Sequence, residues 1–246
     1  MRGVVKSLAH VGYTVSDLER TVAFHARGLG IENHRTQVTD QEYISRVTGV
    51  KDCRLKIGFV QTAGDVLPVE IIEYTHPKGC WNRRNTGEVG AWHICWSTDD
   101  VDAAVQRLGD NDVHVISEAQ TLSEGPWKGS SSVLLRDPDG VVVELLAPSG
   151  QGRGIGRLLG LHHVSLTVAD VQEAHRFLCH QLGLEGIAPI LPDPTSSSAE
   201  DAGSSGVGAT YAKCPTSGLV VELIQAQTRL EAPWPDVNDV GCVHLC

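Results

Sequence analysis

The chain has 246 residues, 41% of them hydrophobic and 20% charged, and a formal net charge of -10. That is enough chain for one large domain or two ordinary ones with a real core. The acidic balance argues against a nucleic-acid partner, which needs a clustered basic patch, and against an anionic membrane surface. No apolar run approaches the ~18 residues of a membrane span. The N-terminus has no apolar secretion segment, and seven scattered cysteines without a CxxC pair read as reduced thiols in a cytoplasm.

In chain order, SLAHVGYTVSDLERTVAFHARGLGIE from Ser7 reads as a strand, a helix and a Leu-Gly turn. Asp17 stands at the helix N-cap and Gly30 at its C-terminal turn. A variable stretch follows, then the strand PVEIIEYTHP. The next segment, EVGAWHICWSTDDVDAAVQRLGDNDV, is again strand then helix, opened by Asp99 or Asp100. It ends in LLRDPDGVVVELLAP, where DPDG joins two strands. GLHHVSLTVADVQEAHRFLCHQLGLE from Gly160 repeats the first pattern, with Asp170 and Gly183 in place of Asp17 and Gly30, and LVVELIQA repeats its closing strand. The chain ends on DVGCVHLC, a near copy of EVGAWHIC.

The repeating unit is thus strand-helix-strand-strand-strand. His10 and His163, Glu70 and Glu222, and His93 and His244 are separated by the same interval to within two residues. This spacing predicts a first domain over 1–149 made of two units and a Gly-rich linker over 150–159. It predicts a second domain over 160–246, with one full unit at 160–228 and the first strand of a truncated fourth unit at 238–246. The end on that strand suggests a fragment of a longer four-unit protein, a degenerate half, or a half completed by another subunit. Residues 192–208, rich in Ser, Gly and Pro, are expected to form a mobile loop.

Alternate strand residues share a face. His10, Gly12 and Thr14 therefore share one, as do His93, Cys95 and Ser97, and Glu70, Ile72 and Tyr74. Glu144 sits between the apolar Val143 and Leu145. Four strands each carry one His or Glu in apolar surroundings, where an isolated carboxylate is costly unless paired or bound to a metal. Glu73 is the rival to Glu70, on the opposite face. Asp137 and Asp139 read as structural turn residues. Trp92, Trp96 and Trp127 read as core or pocket wall, Cys95 as a small apolar filler, and His25 and His180 as packing or surface residues.

His, Glu, His, Glu at one place in successive strands resembles the vicinal oxygen chelate superfamily, through HVGYTVSDLERTVAFHARGLG, WHICWSTDDVDAAVQRL and RDPDGVVVEL. The superfamily includes glyoxalase I, methylmalonyl-CoA epimerase, extradiol dioxygenases and bleomycin-binding proteins. The resemblance implies an α+β fold of tandem βαβββ modules whose mixed sheets cup one divalent metal. Carried over by position, the metal ligands are His10, Glu70, His93 and Glu144. A second, incomplete site comprises His163, Glu222 and His244, with His163 chosen over His162 because it aligns with His10. Two imidazoles and two carboxylates suit Zn, Ni, Co, Mn or Fe(II).

The implied activity is a metal-dependent lyase or isomerase reaction. A proton moves alpha to a carbonyl through a metal-stabilised enediolate, as in glyoxalase or epimerase chemistry. Glu144 is the expected base and Glu70 its partner on the opposite face. The substrate would be a small molecule with vicinal oxygens, with Lys51, Arg54, Arg83 and Arg84 as candidate contacts for an anionic one and Asp52 as a candidate extra acid-base group. Association as a homodimer is one arrangement the family allows. The alternatives are an extradiol-type ring-cleaving dioxygenase, which the absent Tyr at Leu134 argues against, and a non-catalytic drug-binding protein of the bleomycin-resistance kind, which the complete ligand set argues against.

Overall fold

A computed structural model describes residues 7–31, 33–39, 42–65, 67–81, 84–109, 113–150, 154–187, 208–227 and 234–246. The first unit supplies β1 (Val11–Val15), α1 (Leu18–Ala23), β2 (Asn33–Thr39), α2 (Glu42–Thr48), β3 (Arg54–Gln61) and β4 (Val69–His76). The second supplies β5 (Trp92–Thr98), α3 (Val101–Leu108), the short β6 (His114–Val115) and β7 (Gln120–Thr121), and the hairpin β8 (Ser131–Arg136) and β9 (Val142–Ala147). The third supplies β10 (Leu158–Val168), α4 (Val171–Arg176), β11 (Glu185–Ile187), β12 (Ala209–Lys213) and β13 (Val220–Gln225), and β14 (Val243–Leu245) follows. The architecture is the α+β arrangement of mixed sheets with few helices. One helix, α2, falls in the stretch read only as variable. The expected loop at 192–208 lies outside the described residues, apart from Gly208.

The local signals act as expected. Asp17, Asp100 and Asp170 accept hydrogen bonds from Arg20 N, Ala103 N and Glu173 N and cap α1, α3 and α4. Both α1 and α4 continue as a π-helical turn, and Gly30 and Gly183 follow in the left-handed region, at φ 72° and 87°, where side chains with a Cβ are strained.

The pairing of the units departs from expectation. The strands form two sheets, in the orders β14-β1-β4-β3-β2 and β11-β12-β13-β10-β5-β9-β8-β6, with β7 also on β8. Unit two therefore shares its sheet with unit three, and unit one with the terminal strand. The connector after β9 explains this. Asp99 N donates to Arg157 O, and Arg157 N donates back to the Asp99 side chain. The chain is thus anchored at the end of β5, and β10 runs back antiparallel beside it, Leu158 opposite Thr98. The predicted linker is accordingly shorter than 150–159, since β10 already begins at Leu158.

Units one and two are joined instead through their helix-facing sides. Tyr13, Val15, Leu18 and Val22 of unit one lie in one buried cluster with Ile94, Trp96, Val101 and Leu108 of unit two. His25 is fully buried in this seam, against Trp96, while His180 is exposed. The DPDG turn fastens the seam. Asp139 accepts hydrogen bonds from Ser16 N at 2.9 Å and Ser16 Oγ at 2.6 Å and pairs with Arg20. Asp137 accepts from the Asp139 and Val141 amides.

Burial, reinforced by the Asp139 charge, pushes the Asp137 carboxyl from 3.8 up to about 7. The native protein then holds a proton that the unfolded chain has lost. The stability this proton confers is complete below pH ~4 and disappears as pH rises through 7. Chemical denaturation as a function of pH should show that fall, and Asp137→Asn should flatten the curve across the same window.

Candidate functional site

Two clusters of imidazoles and carboxylates result from the sheet pairing, and they divide the four residues His10, Glu70, His93 and Glu144 between them. The first joins units two and three. His93 on β5 lies 3.2 Å from Glu144 on β9, measured from Nε2 to Oε2. His163 on β10 lies 3.3 Å from the same oxygen and 3.6 Å from Glu222 on β13, and His93 is 3.9 Å from Glu222. The second cluster joins unit one to the terminal strand. His10 Nε2, His244 Nε2 and Glu70 Oε2 form a triangle with all three edges 3.2 Å. The expected four-ligand set is corrected in this respect: His10 and Glu70 meet His244, while His93 and Glu144 meet His163 and Glu222. Parallel pairing of β5 with β9 and of β10 with β13 sets the His and Glu of each unit side by side. Antiparallel pairing of β5 with β10 then faces the two halves.

Depth separates the clusters. Side-chain exposure is 10% at His93, 6% at Glu144 and 1% at both His163 and Glu222. It is 20% at His10, 12% at Glu70 and 41% at His244. In the deep cluster burial opposes ionisation of Glu144, but bonds to His163 and His93 outweigh it and hold the carboxyl well below its usual range. Glu222 is lowered in the same way, chiefly through His163. In the shallow cluster burial likewise opposes ionisation, and His10 and His244 bring Glu70 down to about 2. Gly12 makes the shallow cluster possible, because a Cβ there would lie 2.2 Å from the His244 ring.

The deep cluster has unmet bonding capacity. Among the described residues, neither oxygen of Glu222 accepts a hydrogen bond, its contacts with His163 and His93 being ion pairs at 3.6 Å and 3.9 Å, and Nε2 of His163 makes no well-directed hydrogen bond. Glu144 is anchored, with Oε1 accepting from the Ser132 hydroxyl. Buried, ionised groups whose hydrogen-bonding capacity is unmet are expensive unless a cation joins them. The nitrogen and carboxylate-oxygen donors suit a first-row divalent ion, and one atom each from His93, Glu144 and His163 falls within a 4.8 Å group. His10, Glu70 and His244 form another such group. The donor chemistry therefore fits the metal that the sequence pattern implied.

Trp127 stacks on His163 with ring centroids 4.3 Å apart, and Tyr211 packs edge-on against Trp127. Tyr211 stands opposite Glu222 across β12 and β13, where burial and the Glu222 charge push its hydroxyl pKa up. Ser132 and Tyr211 went unnoticed in the sequence because hydroxyls alternating along a strand are common and nothing local marks these two. Trp127, expected as core or pocket wall, packs partly buried against the cluster of Cys95, Leu122 and Leu146. Lys51, Asp52 and Arg54 are exposed at the turn before β3, and Arg83 lies outside the described residues. Arg84 sits over Trp234.

The profile of the glyoxalase/bleomycin resistance protein/dioxygenase superfamily matches residues 9–128. A 2-epi-5-epi-valiolone epimerase of an Actinomyces species is 30% identical over 155 residues, covering 61% of this chain and 85% of that protein. The lactoylglutathione lyase of Salmonella typhimurium is 31% identical over 151 residues, covering 61% of this chain and 98% of the relative. The chain belongs to this superfamily. Its fold is shared by a glyoxalase I mutant from Zea mays, with a TM-score of 0.60 at 16% identity over 94% of this chain and 71% of that one. A putative dioxygenase from Bacillus subtilis has a TM-score of 0.59 at 14% identity, over 100% of this chain and 71% of its own. Among the described residues, no helix is long and apolar enough to cross a membrane.

The choice between Glu70 and Glu73 is visible in the geometry. Glu73 faces α1, accepts the Leu18 amide at 3.0 Å and lies 3.3 Å from Lys56 Nζ. Glu73→Ala should cost about 1–3 kcal/mol in chemical denaturation, the penalty of an unsatisfied buried amide.

Proposed function

We propose that the chain is a divalent-metal-dependent enzyme that moves a proton at a carbon alpha to a carbonyl, in a glyoxalase-type lyase or an epimerase reaction. The reaction centre is His93, Glu144, His163 and Glu222. The observation that carries this reading is the pair of buried carboxylates facing two imidazoles, one anchored by a hydrogen bond and the other, among the described residues, held by ion pairs alone. Relatives named as a lactoylglutathione lyase and an epimerase, each at about 30% identity, support the same class.

The protein's own contribution follows from these contacts. His93, His163, Glu144 and Glu222 would hold the ion, which supplies Lewis-acid stabilisation of charge developing on substrate oxygens. Ser132 fixes Glu144, so Glu144 serves as the stationary carboxylate. Glu222, without hydrogen bonds on its oxygens, is the carboxylate free to approach a substrate carbon and take its proton. The base is therefore assigned to Glu222 in place of Glu144, with Glu144, not Glu70, as its counterpart across the site. Trp127 and Tyr211 exclude water beside His163, which strengthens each electrostatic contact. The substrate class is a small molecule with adjacent oxygens, such as an adduct of a 2-oxoaldehyde with a thiol or an epimerisable acyl thioester.

A second reading attaches to the triangle of His10, Glu70 and His244. Two imidazoles and one carboxylate on one face form the donor set of non-haem Fe(II) oxygenases, which favours a ring-cleaving activity there. A binding protein without catalysis is the outcome if neither cluster takes a metal.

Elemental analysis of the reconstituted full chain should find a transition metal that is lost in His93→Ala and kept in His10→Ala. Loss in His10→Ala alone would move the centre to the second cluster. Glu222→Gln should keep the metal yet slow solvent-deuterium exchange at the substrate's alpha carbon by about 10²–10⁴, the usual contribution of a general base. Undiminished exchange in that variant would overturn the assignment of the base.

A further inference from the structure

Beside the carboxylate cluster lies a group of softer donors. In a regular strand adjacent residues point to opposite faces. The β10–β5 ladder, however, shifts register between Leu161 and His163. With that irregularity, His162 and His163 approach each other edge to edge, their Nδ1 atoms 2.9 Å apart and their ring centroids 5.2 Å apart. The ladder also sets Cys95 opposite His163. One donor atom from each of Cys95, His162 and His163 lies within a 4.8 Å group.

The surroundings hold these donors in place and keep them dry. Cys95 is fully buried among Leu122, Leu146 and Trp127. Trp127 stacks on the His163 ring and meets the His162 ring edge-on at 4.9 Å. A cavity of about 280 Å³ bordered by Ser97, Gly160, Leu161 and His162 provides an approach from the His162 side. His163 directs Nε2 to Glu144 and Glu222 and Nδ1 to His162.

We infer that Cys95, His162 and His163 form a second metal site, selective for thiophilic ions such as Cd(II), Zn(II) or Cu(I), that shares the His163 ring with the carboxylate cluster. One sulfur and two imidazole nitrogens are a soft donor set, in contrast to the carboxylate-rich set across the ring. Binding replaces the Cys95 S–H bond with a sulfur–metal bond and the N–H bond shared between His162 and His163 with a nitrogen–metal bond, and releases both protons to solvent; no electron is transferred. The inference does not depend on the proton-transfer chemistry proposed above.

The test is a Cd(II) titration of the full metal-free chain under reducing conditions, followed by thiolate-to-metal absorption in the ultraviolet. Cys95→Ala should remove one equivalent of the signal relative to the parent, which allows for the other six cysteines. His162→Gln changes a less buried residue and preserves the thiol. It should weaken the same step at least about tenfold, the minimum for loss of a group supporting a metal. Glu222→Gln should leave the step intact. Titrations of Cys95→Ala and His162→Gln that both match the parent would overturn the site. Loss of the step in Glu222→Gln would equally overturn it, by placing the ion among the carboxylates.

Discussion

The antiparallel pairing of β10 with β5 is the constraint on which the rest depends. Each unit places one His and one Glu side by side on neighbouring parallel strands, so each unit offers only half of the deep cluster. That cluster forms where two units meet edge to edge. The anchored connector between Asp99 and Arg157 decides that unit three, and not unit one, lies beside unit two. With that choice made, Glu144 and Glu222 are brought to opposite sides of the two imidazoles, and His10 and Glu70 are left for the terminal strand.

The same arrangement explains why the deep cluster and the seam between units one and two are chemically opposite. The seam is mainly apolar, built from Tyr13, Leu18, Trp96 and Leu108, and Asp139 is matched there by Ser16 and Arg20. Such a region contributes stability and specificity of docking. The deep cluster gathers negative charge without matching all of it, and Glu222 retains free bonding capacity. A protein tolerates that imbalance where a ligand completes it.

Much of the fold was legible because it rests on local signals. The caps at Asp17, Asp100 and Asp170, the DPDG turn and the left-handed Gly30 and Gly183 each depend on a few neighbouring residues. The repeated spacing of His and Glu exposed the unit and placed the Glu of each unit beside its His. The helix α2 was missed because it is only seven residues long, although the TDQE spacing before it and the left-handed Gly49 after it mark its ends. Tyr211 and Ser132 were missed because their importance comes only from what lies across the sheet. His162 was passed over because His163 is the residue that aligns with His10, whereas the register shift in β10 brings the two rings together.

The sequence by itself determined the repeating unit, the six His and Glu positions of the three units, His244 and the superfamily. These follow from strand periodicity and short-range turn chemistry, which act within a unit. Only the tertiary structure decided which units share a sheet, and hence that His93 and Glu144 answer to His163 and Glu222. Strand edges of repeated units are nearly equivalent, and their periodicity is satisfied by either neighbour. The choice among them is made by a short connector and by the apolar seam, both of which act over distances that no local pattern encodes.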